Sequence, residues 1–189
     1  MNDIKTRCAW VTADPIYIDY HDQEWGVAIY DDRLLFEFLI LEGMQAGLSW
    51  LTILKRRDNY RGCFDNFNAE KIANYDEKKY TTLLSNPGII RNRLKIQSVI
   101  SNAQAYLAIK EKLPNFKEYI WQFVGGKPIE NQWGNPKQVP VTTVVSDAMA
   151  KDLKHRGFKF VGSTICYAYM QAVGMVNDHL ITCSARCTH

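Results

Sequence analysis

The chain has 189 residues, 47% of them hydrophobic and 23% charged, which suffices for one buried core and excludes both a disordered chain and two large independent domains. Twenty-three Lys and Arg against 20 Asp and Glu leave a net charge of +3, so contact with nucleic acid must come from local patches rather than a basic tail. Five Cys is an odd number in a chain too long for a disulfide scaffold, and it points to metal ligands or free thiols.

The opening residues MNDIKTRCAW hold no apolar run of the secretory kind. The apolar stretch LLFEFLIL is short and broken by Glu37, far from the roughly 18 residues that span a bilayer. A cytoplasmic protein without a membrane anchor is expected.

In chain order, an Asp31/Asp32 start precedes Leu34, Leu35, Phe38 and Leu41, the spacing of one buried helical stripe. Gly43 and Gly47 interrupt it, and a second helix from Leu48 or Ser49 ends in the basic run Lys55, Arg56, Arg57. Helical patterns follow at 69–85, 88–110, 115–124, 146–156 and 163–176, bounded by Asn86-Pro87-Gly88, Pro114-Asn115, Gly125-Gly126 and Gly157. The Gly/Pro-rich stretch 125–145 predicts a long surface loop leading into a helix capped by Ser146, with strand-like alternation only over Val139 to Val145. The fold class is all-α, in one domain spanning residues 1–189.

Cys8 and His21 lie near one end, His179 and Cys183 near the other. His179 and Cys183 stand four apart, so a helix would put both on one face. Two Cys and two His suit a closed tetrahedral zinc site, which is structural because no position remains for water. Spacing alone also fits four unrelated residues, and Cys187 and His189 offer alternative donors. Cys63 and Cys166 fall within apolar helical patterns and read as buried thiols.

Glu42 ends a hydrophobic helix and is followed by small residues and Trp50. A buried carboxylate must be hydrogen-bonded, neutralised or held for a polar or cationic ligand; a solvent-facing helix end is the alternative. Trp10, Tyr17, Tyr20 and Trp25 crowd the N-terminal segment, as core or as a ligand cage. Aromatic faces with a carboxylate suit a flat, electron-poor ring such as an alkylated purine.

The segment MAKDLKHRG-FKFVG-STICYAYMQAVG reads as helix, glycine-bounded turn, helix. Lys151, Lys154, His155, Arg156 and Lys159 surround a helix start whose N–H groups suit an anion. It is similar to the helix-hairpin-helix element that holds a phosphate backbone, although an ordinary αα-hairpin has the same pattern. A second basic patch is expected on LLSNPGIIRNRLKIQSVI, with Arg91, Arg93 and Lys95 exposed.

Taken together, Cys8-Ala-Trp10, Asp14-Pro-x-Tyr17-x-x-Tyr20-His21-Asp22-x-Glu24-Trp25-Gly26, Leu41-Glu42-Gly-Met-Gln-Ala-Gly-Leu-Ser-Trp50 and Gly157-Phe-Lys-Phe-Val-Gly162 resemble the 3-methyladenine DNA glycosylase I family. The matches run in order along nearly the whole chain. The resemblance implies a helix-hairpin-helix glycosylase fold and one structural zinc ion held by Cys8, His21, His179 and Cys183, joining the two ends. It implies that Glu42 is the catalytic group contacting the damaged adenine, that Tyr20 and Trp50 stack on it, and that Trp10, Tyr17 and Trp25 shape the pocket. Leu48 is the implied wedge in the duplex, with Gln45 assisting, while Gly157, Phe158, Lys159 and Gly162 belong to the DNA-binding hairpin; Phe158 is also placed at the edge of the pocket. Its partners would be double-stranded DNA containing 3-methyladenine and the free base as product, and the expected state is a monomer.

Most members of the wider superfamily carry a catalytic Asp beyond the hairpin. Here the only downstream candidate is Asp178, sixteen residues after Gly162 and beside His179, and no catalytic role is assigned to it. The family is likewise described as lacking that aspartate. Two other classes compete with a glycosylase. A non-catalytic module would bind DNA or alkylated bases with the same parts, and a zinc deaminase would need the H-x-E and P-C-x-x-C pattern that this sequence lacks.

Overall fold

The computed structural model describes residues 6–187; His189 and the side chain of Cys187, named above as further donors, lie outside the described residues. The architecture is mostly helical. Helix α1 (Pro15–Gln23) starts where Asp14 accepts from the Ile16 N–H with Pro15 at the first turn, a start signal that the aromatic pattern obscured. Helix α2 (Asp32–Gln45) starts at Asp31, which accepts from Leu34 N at 2.8 Å. It is buried continuously from Leu35 to Met44, so it is the central helix of the core. The expected interruption at Gly43 does not occur. There the missing side chain admits a neighbour, since a Cβ would stand 3.2 Å from the Phe160 Cβ.

Short helices follow: α3 (Trp50–Leu54), capped by Ser49, and α4 (Arg57–Cys63). The 69–85 pattern divides into α5 (Ala69–Ala73) and α6 (Glu77–Ser85), because Asp76 caps a new start by accepting from Lys79 N. Helix α7 (Arg93–Lys110) is capped by Asn92 and does not start at 88, since the Asn92 side chain accepts from Lys95 N at 3.1 Å. Helix α8 (Phe116–Trp121) is finished by a 3-10 turn.

Residues 125–145 depart most from expectation. No strand forms over 139–145; instead β1 (Ile129–Glu130) pairs in parallel with β2 (Val176–Asn177), Ile129 opposite Val176. Helix α9 (Val144–His155) is capped by Thr143, and Ser146 is the reciprocating member of that capping box. Helix α10 (Ser163–Ala172) ends earlier than its apolar pattern and packs against α9 and α2. Gly174, at φ +70°, allows a close approach: a Cβ would fall 2.2 Å from the Val27 carbonyl carbon. That contact brings the chain after α10 against the chain after α1, and Gly26 N donates to Gln171 O at 3.0 Å nearby. The buried side chains form one continuous cluster, and among the described residues no helix is long and apolar enough to cross a membrane.

Candidate active site

A cavity of about 450 Å³ opens between α1, α2, α3 and α10. Its walls include Trp10, Tyr17, Tyr20, Trp25, Glu42, Gln45 and Trp50, so seven separated residues of the sequence pattern converge on one space. The rings form a continuous aromatic wall: Trp10 lies 5.0 Å from both Tyr17 and Trp25, and Tyr20 lies 5.5 Å from Trp50, centroid to centroid. These are tilted or edge contacts, the geometry that aromatic pairs prefer.

Glu42 enters this wall from the last turns of α2 and is 4% exposed. Among the described residues no donor reaches its carboxylate within hydrogen-bond distance. Burial alone therefore pushes its carboxyl up to about 8, because the ionised form has lost water and gained no partner. The Trp50 indole Nε1 is also buried without an acceptor. Glu42 thus brings an unpartnered acceptor to an aromatic cavity, complementary to a ring with a positive or donor edge.

The second buried carboxylate of the wall, Asp178, is arranged oppositely. Its Oδ1 accepts from Asn131 Nδ2 and Trp133 Nε1, both at 2.7 Å. Its Oδ2 accepts from the Tyr167 hydroxyl at 2.7 Å and Gln171 Nε2 at 2.8 Å. The network fastens the 125–145 segment to α10, and Pro136, Val139 and Pro140 of that segment line the cavity. The stretch is the mostly exposed surface loop that the sequence predicts, and in addition it supplies one wall of the pocket. The Asn131 and Trp133 pair was the available signal, though nothing local pairs it with Asp178.

Behind the aromatic wall, Cys8, His21, His179 and Cys183 are all buried, with their donor atoms within 4.8 Å of one another. The Cys183 Sγ lies 3.4 Å from both His21 Nε2 and His179 Nδ1, and the Cys8 Sγ 3.8 Å from His179 Nδ1. Neighbouring S and N ligands of a tetrahedral zinc ion stand about 3.5 Å apart, so this set fits a four-coordinate metal. The outer partners are also in place. His21 Nδ1 meets Asp22 Oδ1 at 2.8 Å, Arg7 clamps that carboxylate with two bonds, and His179 Nε2 meets the Trp25 carbonyl at 2.9 Å. The Arg7 guanidinium holds Asp22 down at about 2. Trp10 and Trp25 pack on the two imidazoles at 5.2 and 4.6 Å, which couples the Cys/His cluster to the cavity.

At the cavity rim, Gln45, which also lines the cavity, begins a type II turn with Ala46, Gly47 and Leu48. Ala46 has φ −43° and ψ 114°, Gly47 has φ +78°, and Leu48 N donates to Gln45 O at 2.6 Å. The Gln45 Nε2 also donates to Leu48 O at 2.5 Å, and the Leu48 side chain is exposed. At residues 156–162 Gly157 takes φ +94°, and neither Gly157 nor Gly162 has a protein atom within 4 Å of the Cβ position. Lys151, Lys154, His155, Arg156 and Lys159 are exposed there.

Several expectations are corrected. Phe158 is 1% exposed and packs near Phe116 in the core, away from the cavity, since the hairpin needs an apolar anchor of its own. Arg91 and Arg93 are exposed, but Lys95 is buried. The basic run 55–57 is not a free patch: Lys55 pairs with Asp14, Arg57 with Glu24, and Arg56 donates to Pro87 O. Cys166 is buried as expected, whereas Cys63 is only partly buried and takes a hydrogen bond from Asn86.

The fold and site define a helical protein with an aromatic cavity bordered by one unpartnered carboxylate. A family model described as methyladenine glycosylase matches residues 10–187. The chain is 51% identical over 177 residues to "DNA-3-methyladenine glycosylase 1" of Escherichia coli (strain K12), covering 94% of this chain and 95% of that one. Among solved structures it is similar to 3-methyladenine DNA glycosylase I at TM-score 0.93 and 54% identity, covering 95% of this chain and 98% of the other. It is also similar, at the same TM-score of 0.93 but 36% identity, to a variant of such an enzyme in complex with 3-methyladenine, with 97% and 98% covered. The chain belongs to the methyladenine glycosylase family.

Proposed function

We propose that the protein is a DNA repair glycosylase that excises 3-methyladenine from alkylated duplex DNA, working as a monomer with one domain. The observation that carries this reading is the Glu42 carboxyl, buried without a donor in an aromatic cavity. An adenine methylated at N3 is cationic while attached to the sugar and is already a good leaving group. Charge complementarity and stacking then suffice where a neutral adenine would need a strong acid. Near neutral pH the empty pocket holds Glu42 largely protonated; a cationic ring favours its ionised form.

In this reading the damaged nucleotide leaves the stack and enters the cavity, at a cost that damage lowers. Tyr20 and Trp50 stack on the base, Trp10, Tyr17 and Trp25 shape the space, and Glu42 faces the positive ring. Leu48 fills the gap in the duplex with help from Gln45. The Gly157, Lys159 and Gly162 hairpin holds the phosphate backbone as a helix-hairpin-helix element. The glycosidic C–N bond breaks with its electron pair going to the base, which leaves neutral. Water forms the new C–O bond at the sugar and gives up a proton, leaving an abasic site with no strand cleavage.

Zinc is the metal that two thiolates and two imidazoles suit best. Cys8, His21, His179 and Cys183 would hold it, and the closed set gives it a structural part, tying the two ends of the chain behind the pocket wall. The reading is tested by incubating the protein with excess methylated DNA and separating the released bases. Many turnovers of free 3-methyladenine, with abasic sites formed in equal number and little 7-methylguanine, are expected. Tight DNA binding without free base would leave a non-catalytic module.

A further inference from the structure

Helix α7 carries a buried polar stripe, Lys95, Ser98 and Asn102, at positions i, i+3 and i+7. Such residues are costly inside a protein unless each finds partners. Lys95 meets no carboxylate; its Nζ donates to Met44 O at 2.8 Å and to Ala46 O at 2.6 Å. Those carbonyls belong to the C-terminal end of α2 and to the turn that carries Leu48. A cation is favourable at a helix C-terminus, yet this one sits in the first turn of its own helix, where its charge opposes the dipole. Two turns along the same face, Asn102 Oδ1 accepts from Lys159 N at 2.7 Å and its Nδ2 donates to Lys159 O at 3.1 Å. Asn102 thereby satisfies both backbone groups of the central hairpin residue.

The stripe therefore touches the turn at one end and the hairpin at the other. We infer that Lys95 and Asn102 are positioning residues that hold the Leu48 turn and the 156–162 hairpin at one fixed separation on a rigid helix, matched to a duplex. This rests on the proposed roles of those two elements in DNA binding. Lys95 is then not a phosphate contact, although its sequence neighbours Arg91 and Arg93 are exposed.

The test uses the metal-loaded full chain with Lys95→Met and Asn102→Leu, close in volume and without the bonding groups. Each is expected to slow single-turnover excision from methylated duplex about 10- to 100-fold, the penalty of a small misplacement. Affinity for free 3-methyladenine, read by tryptophan fluorescence, should stay within about twofold. The salt dependence of duplex binding should keep its slope, which loss of a phosphate contact would reduce by about one. If either variant does not fold, Lys95→Gln and Asn102→Asp, each keeping one bond, take its place under the same criteria. Unchanged duplex excision, equal loss of free-base affinity, or a reduced slope overturns the inference. Leu48→Ala separates the two layers: if it leaves duplex excision unaltered, the reading of the turn itself fails. If it slows excision while the α7 variants do not, the inference alone fails.

Discussion

Two buried carboxylates border the same cavity and are treated in opposite ways. Asp178 is saturated by four donors, one pair from the 125–145 segment and one pair from α10. Glu42, across the cavity on α2, has none, and its carboxyl is pushed up to about 8. A carboxylate that spends every lone pair on the protein holds walls together. One that is left unsatisfied costs stability and is kept for a ligand.

The largest expected effect tests the Glu42 side. Glu42→Gln retains shape but cannot become an anion, and it should slow release of 3-methyladenine about 100-fold or more. The Asp178 side should break differently. Asp178→Asn replaces one acceptor oxygen by a donor facing donors, and thermal unfolding should show a loss of about 2 to 4 kcal/mol, with the pocket wall loosened. A mutant of Asp178 as stable as the wild type would remove the contrast.

Smaller, but sharper, is the pH dependence of stability. A carboxyl that titrates near 4.5 when unfolded and about 8 when folded binds more protons in the folded state between those values. Its contribution is full below about 4.5 and is lost as pH rises through about 8. The melting temperature of Glu42→Gln should therefore exceed that of the wild type at pH 9 and approach it at pH 4; a constant difference would contradict the burial argument. The smallest effect is expected from Trp50→Phe, which keeps a stacking ring and removes the unpartnered Nε1 donor. Affinity for free 3-methyladenine, measured by calorimetry, should fall by less than about tenfold.

The same contrast explains what the sequence could disclose. Glu42 and the set Cys8, His21, His179 and Cys183 were legible through the family resemblance; residue type and spacing alone left a solvent-facing helix end open for Glu42 and four unrelated residues open for the Cys/His set. The α2 stripe was legible from its period. The Asp178 network was not, since Asn131 and Trp133 meet it across more than forty residues of chain and lie in a segment whose Gly and Pro content describes only its backbone. Lys95 looks like Arg91 and Arg93 by type. Only its register with Val99 and Asn102, three to four residues per turn, marks it as inward-facing. Phe158, flanked by Gly157 and Lys159, gave no periodicity at all.

The central claim is that the unpartnered Glu42 carboxyl recognises the cationic base. Single-turnover release of 3-methyladenine from methylated duplex by the wild type and by folded Glu42→Gln measures it directly. A drop of about 100-fold or more, with the variant at least as stable as the wild type at pH 8, is the predicted result; release at the wild-type rate would contradict it.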